Sequence, residues 1–169
     1  MTLPSFLVIG AMKAGTTTLF QDLVDHPNIF MPSDKELHDL NTNEVLTEKG
    51  TAAYEKFFAN STSEQRCGEA STGYTKLPDI MGVPKRSLKL LGSDTKLMYL
   101  VRNPVGRLLS QYHHHVNVDK LDLQIDEAIQ ACPELINYSK YAMQLSPWIE
   151  MFSSENIKII VYGQIYDIL

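Results

Sequence analysis

Apolar residues in this chain fall into short runs separated by polar, glycine-bearing or proline-bearing turns. Phe6-Leu-Val-Ile9 is one such run, and its β-branched members suit a buried parallel strand. Gly10 and Gly15 bracket the loop after it; Leu19, Phe20, Leu23 and Val24 then recur at helical spacing until His26-Pro27-Asn28 stops the helix. Ile29 to Met31 is a short apolar piece, and Pro32-Ser33-Asp34 turns the chain. Thr51 to Phe58 reads as a helix after Gly50, and Cys67 to Ser71 as the end of a short strand. Val83 to Leu91 is an amphipathic helix ended by Gly92. Lys96 to Val101 is a second buried strand. Asn103 caps and Pro104 starts the helix that follows, which runs to about His115. Asp126 to Cys132 predicts another helix, and Tyr138 to Phe152 a helical stretch kinked or broken before Pro147, with Trp148 in the core. Ile157 to Tyr162 predicts a third buried strand, and the chain stops at Leu169 in what reads as the start of another element. Strands alternating with helices at these lengths force parallel pairing and right-handed crossovers. The expected fold is α/β: a central parallel sheet of at least three strands with helices on both faces.

Length and charge narrow the function. A chain of 169 residues builds one domain with a real core. The formal net charge of −5 argues against non-specific nucleic-acid binding, which needs a strong positive field. It also counts against a highly sulfated acceptor unless a local basic cleft exists. Cys67 and Cys132 are far apart and lack metal-ligand spacing, so both are expected reduced and partly buried. There is no apolar run long enough to span a membrane, and the first strand begins too early to leave room for a signal peptide. A cytoplasmic chain without membrane attachment is the expectation.

The candidate chemistry lies where strands end. The loop after the first strand feeds a helix whose opening N–H groups and positive dipole end make an anion site. Lys13 adds charge there, and Thr16, Thr17 and Thr18 add hydroxyl donors. The nucleotide-hydrolase pattern G-x-x-x-x-G-K-[ST] is only half met, because Thr16 stands where its lysine belongs. Lys35-Glu36-Leu37-His38 gathers a lysine, an acid and an imidazole in one loop. Arg102 leaves the carboxyl end of a strand, where ligands bind in open α/β sheets, and Ser110 lies two helical turns on. Together they can grip one phosphate. His113, His114 and His115 point about 100° apart on a helix, so they do not chelate one ion, and no metal site is expected.

Three of these segments resemble sulfotransferases that use 3′-phosphoadenosine 5′-phosphosulfate (PAPS). Lys13-Ala14-Gly15-Thr16-Thr17 is similar to their 5′-phosphosulfate loop. Lys35-Glu36-Leu37-His38, beginning 22 positions after Lys13, resembles the Lys-Glu-x-His segment of glycosaminoglycan-type members. Arg102 with Ser110 resembles the 3′-phosphate site. The resemblance implies a P-loop-like three-layer fold and transfer of a sulfuryl group to a hydroxyl or amine of a carbohydrate, lipid or small-molecule acceptor, without a metal. It implies Lys13, Ala14, Gly15, Thr16, Thr17, Thr18, Arg102 and Ser110 as donor-binding residues. Lys13, Glu36 and His38 would be catalytic, with either Glu36 or His38 taking the acceptor proton. Gly68-Glu69-Ala70-Ser71 resembles a family segment that often carries lysine at the Ala70 place, so that lysine's role is not carried over. Glu69 either ties loops together or helps the base. Tyr138-Ser-Lys-Tyr141 resembles a segment near the acceptor side. Related enzymes continue past the last strand, so residues 1–169 read as a single domain lacking its C-terminal part. The rival readings are a P-loop kinase or nucleoside triphosphatase, and a non-catalytic nucleotide-binding remnant.

Overall fold

The computed structural model describes residues 2–163. Five parallel strands form one sheet: β1 (Phe6–Gly10), β2 (Ile29–Phe30), β3 (Arg66–Ala70), β4 (Lys96–Val101) and β5 (Ile157–Val161), in the order β2-β3-β1-β4-β5. Seven α-helices are present among the described residues: α1 (Thr16–Asp25), α2 (Glu48–Lys56), α3 (Val83–Leu91), α4 (Pro104–Asn117), α5 (Ile125–Ala131), α6 (Glu134–Asn137) and α7 (Tyr141–Met151). Every residue of β1 is buried, as a central strand covered on both faces requires. The fold is the expected P-loop-like α/β sandwich. None of the described helices is long and apolar enough to cross a membrane.

The order of the strands determines where a ligand can sit. From β1 the chain moves to one side for β2 and β3, then crosses to the other for β4 and β5. That reversal opens a crevice beyond the carboxyl ends of β1, β3 and β4, the usual binding place in such sheets. Local chemistry starts the helices there. Asn103 Oδ1 accepts from the N–H groups of Val105 and Gly106 at 3.1 Å each, and Pro104 opens α4.

Several expectations shift. The helix predicted from Thr51 begins at Glu48, because Thr47 Oγ1 accepts from Gly50 N–H at 3.0 Å and caps it earlier. Pro147 lies inside α7 and does not end it; the break falls before Tyr141. Burial of Leu145 and Trp148, and a Gln144 side chain bonded to both Leu77 N–H and C=O, offset the backbone bond that proline removes. β5 is an edge strand, with Ile159 51% and Val161 47% exposed, where a buried strand was expected. The element expected at the end of the chain lies outside the described residues. Both cysteines are free thiols, Cys67 buried and Cys132 half-buried.

Candidate active site

Beyond the carboxyl ends of β1, β3 and β4 lies a cavity of about 510 Å³. That is large enough for a nucleotide-sized ligand. Lys13 and Gly15 line it from the first loop with Thr16 and Thr17 at the start of α1, Glu36 and His38 from the second loop, Arg102 from just past the end of β4 and Ser110 from α4. Eight of the residues singled out by sequence therefore meet in one place. Ala14 and Thr18 are not among the lining residues. Ala14 is fully buried and donates its N–H to Ala11 C=O at 3.1 Å. Thr18 is exposed on α1, because each helical residue turns about 100° from the last and three in a row do not share a face.

The backbone is strained along the wall of this cavity. Four described non-glycine residues have positive φ, and three of them are Lys13 (64°), Glu36 (65°) and His38 (64°), all on the cavity wall. Left-handed backbone at such residues costs roughly 1–2 kcal/mol each and persists where surroundings over-determine it. Gly15, at φ 94°, caps α1 without that cost and leaves the opening N–H groups of the helix without intrahelical partners.

The second loop is held at several points. Glu36 N–H donates to Ala70 C=O at 2.9 Å, and Ser71 Oγ accepts from His38 N–H at 3.3 Å. A Cβ at Gly73 would stand 2.7 Å from His38 Nδ1, so this position leaves room for the imidazole. Arg86 on α3 donates to the carbonyls of Leu40, Asn41 and Met81 at 2.6, 2.9 and 2.7 Å, tethering the far end of the loop. Glu36 itself accepts from Lys35 Nζ at 2.7 Å on Oε1, and from Thr72 N–H at 2.7 Å and Thr72 Oγ1 at 3.1 Å on Oε2. A carboxylate offers about four acceptor sites, so one remains for a substrate proton. His38 Nε2 lies 3.7 Å from Glu36 Oε2, beyond hydrogen-bond range.

Behind this wall sits Glu69, nearly fully buried and absent from the cavity lining. Tyr54 Oη, Tyr74 Oη and Ser71 Oγ all donate to its carboxylate, the last at 2.7 Å. Glu69 therefore ties β3, α2 and the loop walls together. Burial pushes its pKa up, and the hydroxyl donors partly oppose this. A carboxyl with a raised folded pKa keeps its proton to higher pH in the fold than in the unfolded chain. Its contribution to stability therefore falls as pH rises from the ordinary carboxylate range through the folded value.

The Lys13 and Arg102 side of the cavity carries cations without carboxylate partners among the described residues. Arg102 stacks on the Tyr162 ring at 4.8 Å, and Tyr141 Oη donates to its carbonyl at 2.7 Å, which fixes the strand end. His114 also lines the cavity, one turn beyond Ser110 on the same face of α4. Sequence reasoning dismissed the histidine triplet as a metal site but missed that the i, i+4 spacing from Ser110 aims its middle member inward. No group of three or more His, Cys, Asp or Glu that could hold a metal occurs among the described residues. Arg107 was missed as well. It is fully buried with no carboxylate partner among the described residues, and burial lowers its pKa. It donates to Ser139 Oγ at 2.6 Å, Gln111 Oε1 at 2.7 Å, Leu135 C=O at 2.7 Å and, more weakly, Met12 C=O at 3.5 Å in the first loop.

The chain also matches known proteins over most of its length. The model of the sulfotransferase domain family matches residues 3–166. The membrane-associated sulfotransferase kil1 of Dictyostelium discoideum is 38% identical over 119 residues, covering 69% of this chain and 24% of that protein. The mouse bifunctional heparan sulfate N-deacetylase/N-sulfotransferase 4 is 32% identical over 180 residues, covering 94% of this chain and 20% of that protein. The mouse heparan sulfate glucosamine 3-O-sulfotransferase 5 is 27% identical over 170 residues, covering 94% and 47% respectively. This chain therefore spans less than half the length of these curated relatives. The crystal structure of a sulfotransferase from Alicyclobacillus acidocaldarius superposes with a TM-score of 0.84 at 26% identity, covering 99% of this chain and 76% of that one. A P-loop kinase is not favoured: Thr16 holds the place of the kinase lysine, and the matches are to sulfotransferases. The chain belongs to the sulfotransferase domain family.

Proposed function

We propose that this chain transfers a sulfuryl group from PAPS to a hydroxyl or amine of a carbohydrate acceptor. The observation that carries the reading is the convergence of Lys13 and Arg102, neither ion-paired among the described residues, on the same cavity as Glu36 and His38. The carbohydrate part draws on the relatives, two of which are named for heparan sulfate.

PAPS supplies an activated sulfuryl group whose leaving oxygen stays on the 5′-phosphate. In this reading Lys13 lies by that bridging oxygen and offsets the charge it gains as the S–O bond breaks. Gly15, Thr16 and Thr17 hold the 5′-phosphosulfate through backbone N–H and hydroxyl donors at the α1 N-terminus. Arg102 and Ser110 hold the 3′-phosphate. Glu36 accepts the proton of the attacking hydroxyl or amine, while Thr72 and Lys35 fix its carboxylate in place. His38 borders the same space and is the alternative base. Transfer of labelled sulfate from PAPS to a panel of oligosaccharides tests the reading, and absence of transfer to every acceptor would overturn it.

The donor half has its own test. Arg102→Ala is expected to weaken binding of 3′-phosphoadenosine 5′-phosphate (PAP), the desulfated donor, by about 2 kcal/mol or more, the scale for leaving a charged partner unpaired. Ser110→Ala should cost about 1 kcal/mol, as a neutral donor does. Titration calorimetry giving unchanged affinity for Arg102→Ala would refute the 3′-phosphate assignment.

A further inference from the structure

We propose that Lys76 anchors an anionic group on the acceptor, a carboxylate or sulfate beside the hydroxyl or amine that receives the sulfuryl group. The inference rests on the sulfuryl-transfer reading and names the class of acceptor. Among the described residues four side-chain cations line the cavity, Lys13, Lys35, Lys76 and Arg102, against the single carboxylate of Glu36. The cleft is therefore locally positive in a chain of net charge −5. Three of the four have partners in the reading above. Lys35 pairs with Glu36 at 2.7 Å, and Lys13 and Arg102 serve the two phosphate ends of the donor. Lys76 is left over.

Its charge is also left uncancelled. Among the described residues no carboxylate forms an ion pair with Lys76. Asp79, the acid nearest in sequence, accepts the Tyr138 hydroxyl at 2.7 Å instead. The Lys76 ammonium lies over the same Tyr138 ring, 5.8 Å from its centroid, which positions the cation while leaving its donors for a ligand. The backbone on either side is pinned. Thr75 Oγ1 donates to Ile9 C=O at 2.7 Å, Leu77 N–H donates to Gln144 Oε1 at 2.8 Å, and Lys76 C=O accepts from Ile80 N–H at 2.9 Å. Lys76 also follows Thr72, which orients Glu36, by one short turn. A pinned, unpaired ammonium on the segment that positions the proposed base is suited to orienting an acceptor by its charge.

The experiment uses PAP-loaded protein and two disaccharides that differ at one carbon: glucosamine joined to glucuronate, and glucosamine joined to glucose. By calorimetry the parent is expected to bind the glucuronate sugar about tenfold more tightly, the scale of one charge-assisted contact in a partly screened site. Lys76→Gln should abolish that preference and Lys76→Glu should invert it, with PAP affinity within about twofold of the parent in both, since the donor's charged contacts lie elsewhere. Equal binding of the two sugars by the parent, or a preference that survives Lys76→Gln, overturns the assignment. A fall in PAP affinity matching the fall in sugar affinity overturns it too, by giving Lys76 to the donor. A Lys76-dependent preference without any sulfate transfer supports the anchor and refutes the transfer reading.

Discussion

Glu36→Gln is expected to bind PAP as the parent does and to turn over about a hundredfold more slowly, the usual scale for losing a general base. The substitution is nearly isosteric, and the surroundings accommodate it unevenly. Thr72 N–H and Oγ1 donate to Oε2 and Lys35 Nζ to Oε1, so a glutamine keeps its carbonyl toward Thr72 and turns its amide toward Lys35. Shape and the Thr72 contacts survive, while the basic lone pair and the ion pair are lost. Affinity for PAP should hold, because Lys13, Arg102 and Ser110 are untouched. Rapid-quench measurement of sulfate transfer with saturating PAPS isolates the chemical step. If Glu36→Gln transfers at the parent rate while His38→Ala does not, the base is the histidine. Its ring stands 3.7 Å from the carboxylate, close enough to reach the same acceptor.

Arg107→Ala should cost the fold about 3–5 kcal/mol. The guanidinium is fully buried and donates to acceptors on α4, α6, the turn before α7 and the first loop. Truncation leaves the Leu135 carbonyl and the Gln111 amide oxygen short of donors in a dry interior, and adds a cavity the size of the lost side chain. Lysine should rescue little, since one ammonium does not reproduce a fork that serves four acceptors. Urea unfolding would register the loss as a lower midpoint at unchanged slope. A loss below about 1 kcal/mol would mean that the network is not shared as described. The variant should also bind PAP more weakly under conditions where it remains folded, because the Met12 carbonyl beside Lys13 loses its brace.

What could be read from sequence was local. The β1 run, the glycine-bracketed loop, the Asn103-Pro104 start of α4 and the Arg102–Ser110 spacing each lie within about a dozen residues, and periodicity or capping chemistry governs them. These segments, with the Lys35-Glu36-Leu37-His38 loop, brought in Lys13, Glu36, His38, Arg102 and Ser110, all of which line the cavity. The residues that fix Glu36 and Glu69 did not show, because Thr72 meets Glu36 across 36 residues and Tyr54 meets Glu69 across 15. Such pairings follow from the β2-β3-β1-β4-β5 order, which no short window contains. Arg86 and Arg107 look like surface cations on amphipathic helices, and only their carbonyl partners reveal them as internal ties. β2 is two residues long, too short for any alternation to register. β5 has the composition of a buried strand but lies at the sheet edge, where packing rather than propensity sets exposure.

The left-handed backbone at Lys13, Glu36 and His38 sets stability against activity at these positions. Glycine or asparagine would adopt that conformation at lower cost, so a redesign guided by stability alone would choose to replace these three residues early. Such a sequence would keep its sheet, its caps and its core, and would lose the loop charge and both candidate bases. Thermal stability is therefore a poor surrogate for function in variants of this protein, because gains made at these positions would come from removing the groups that face the cavity.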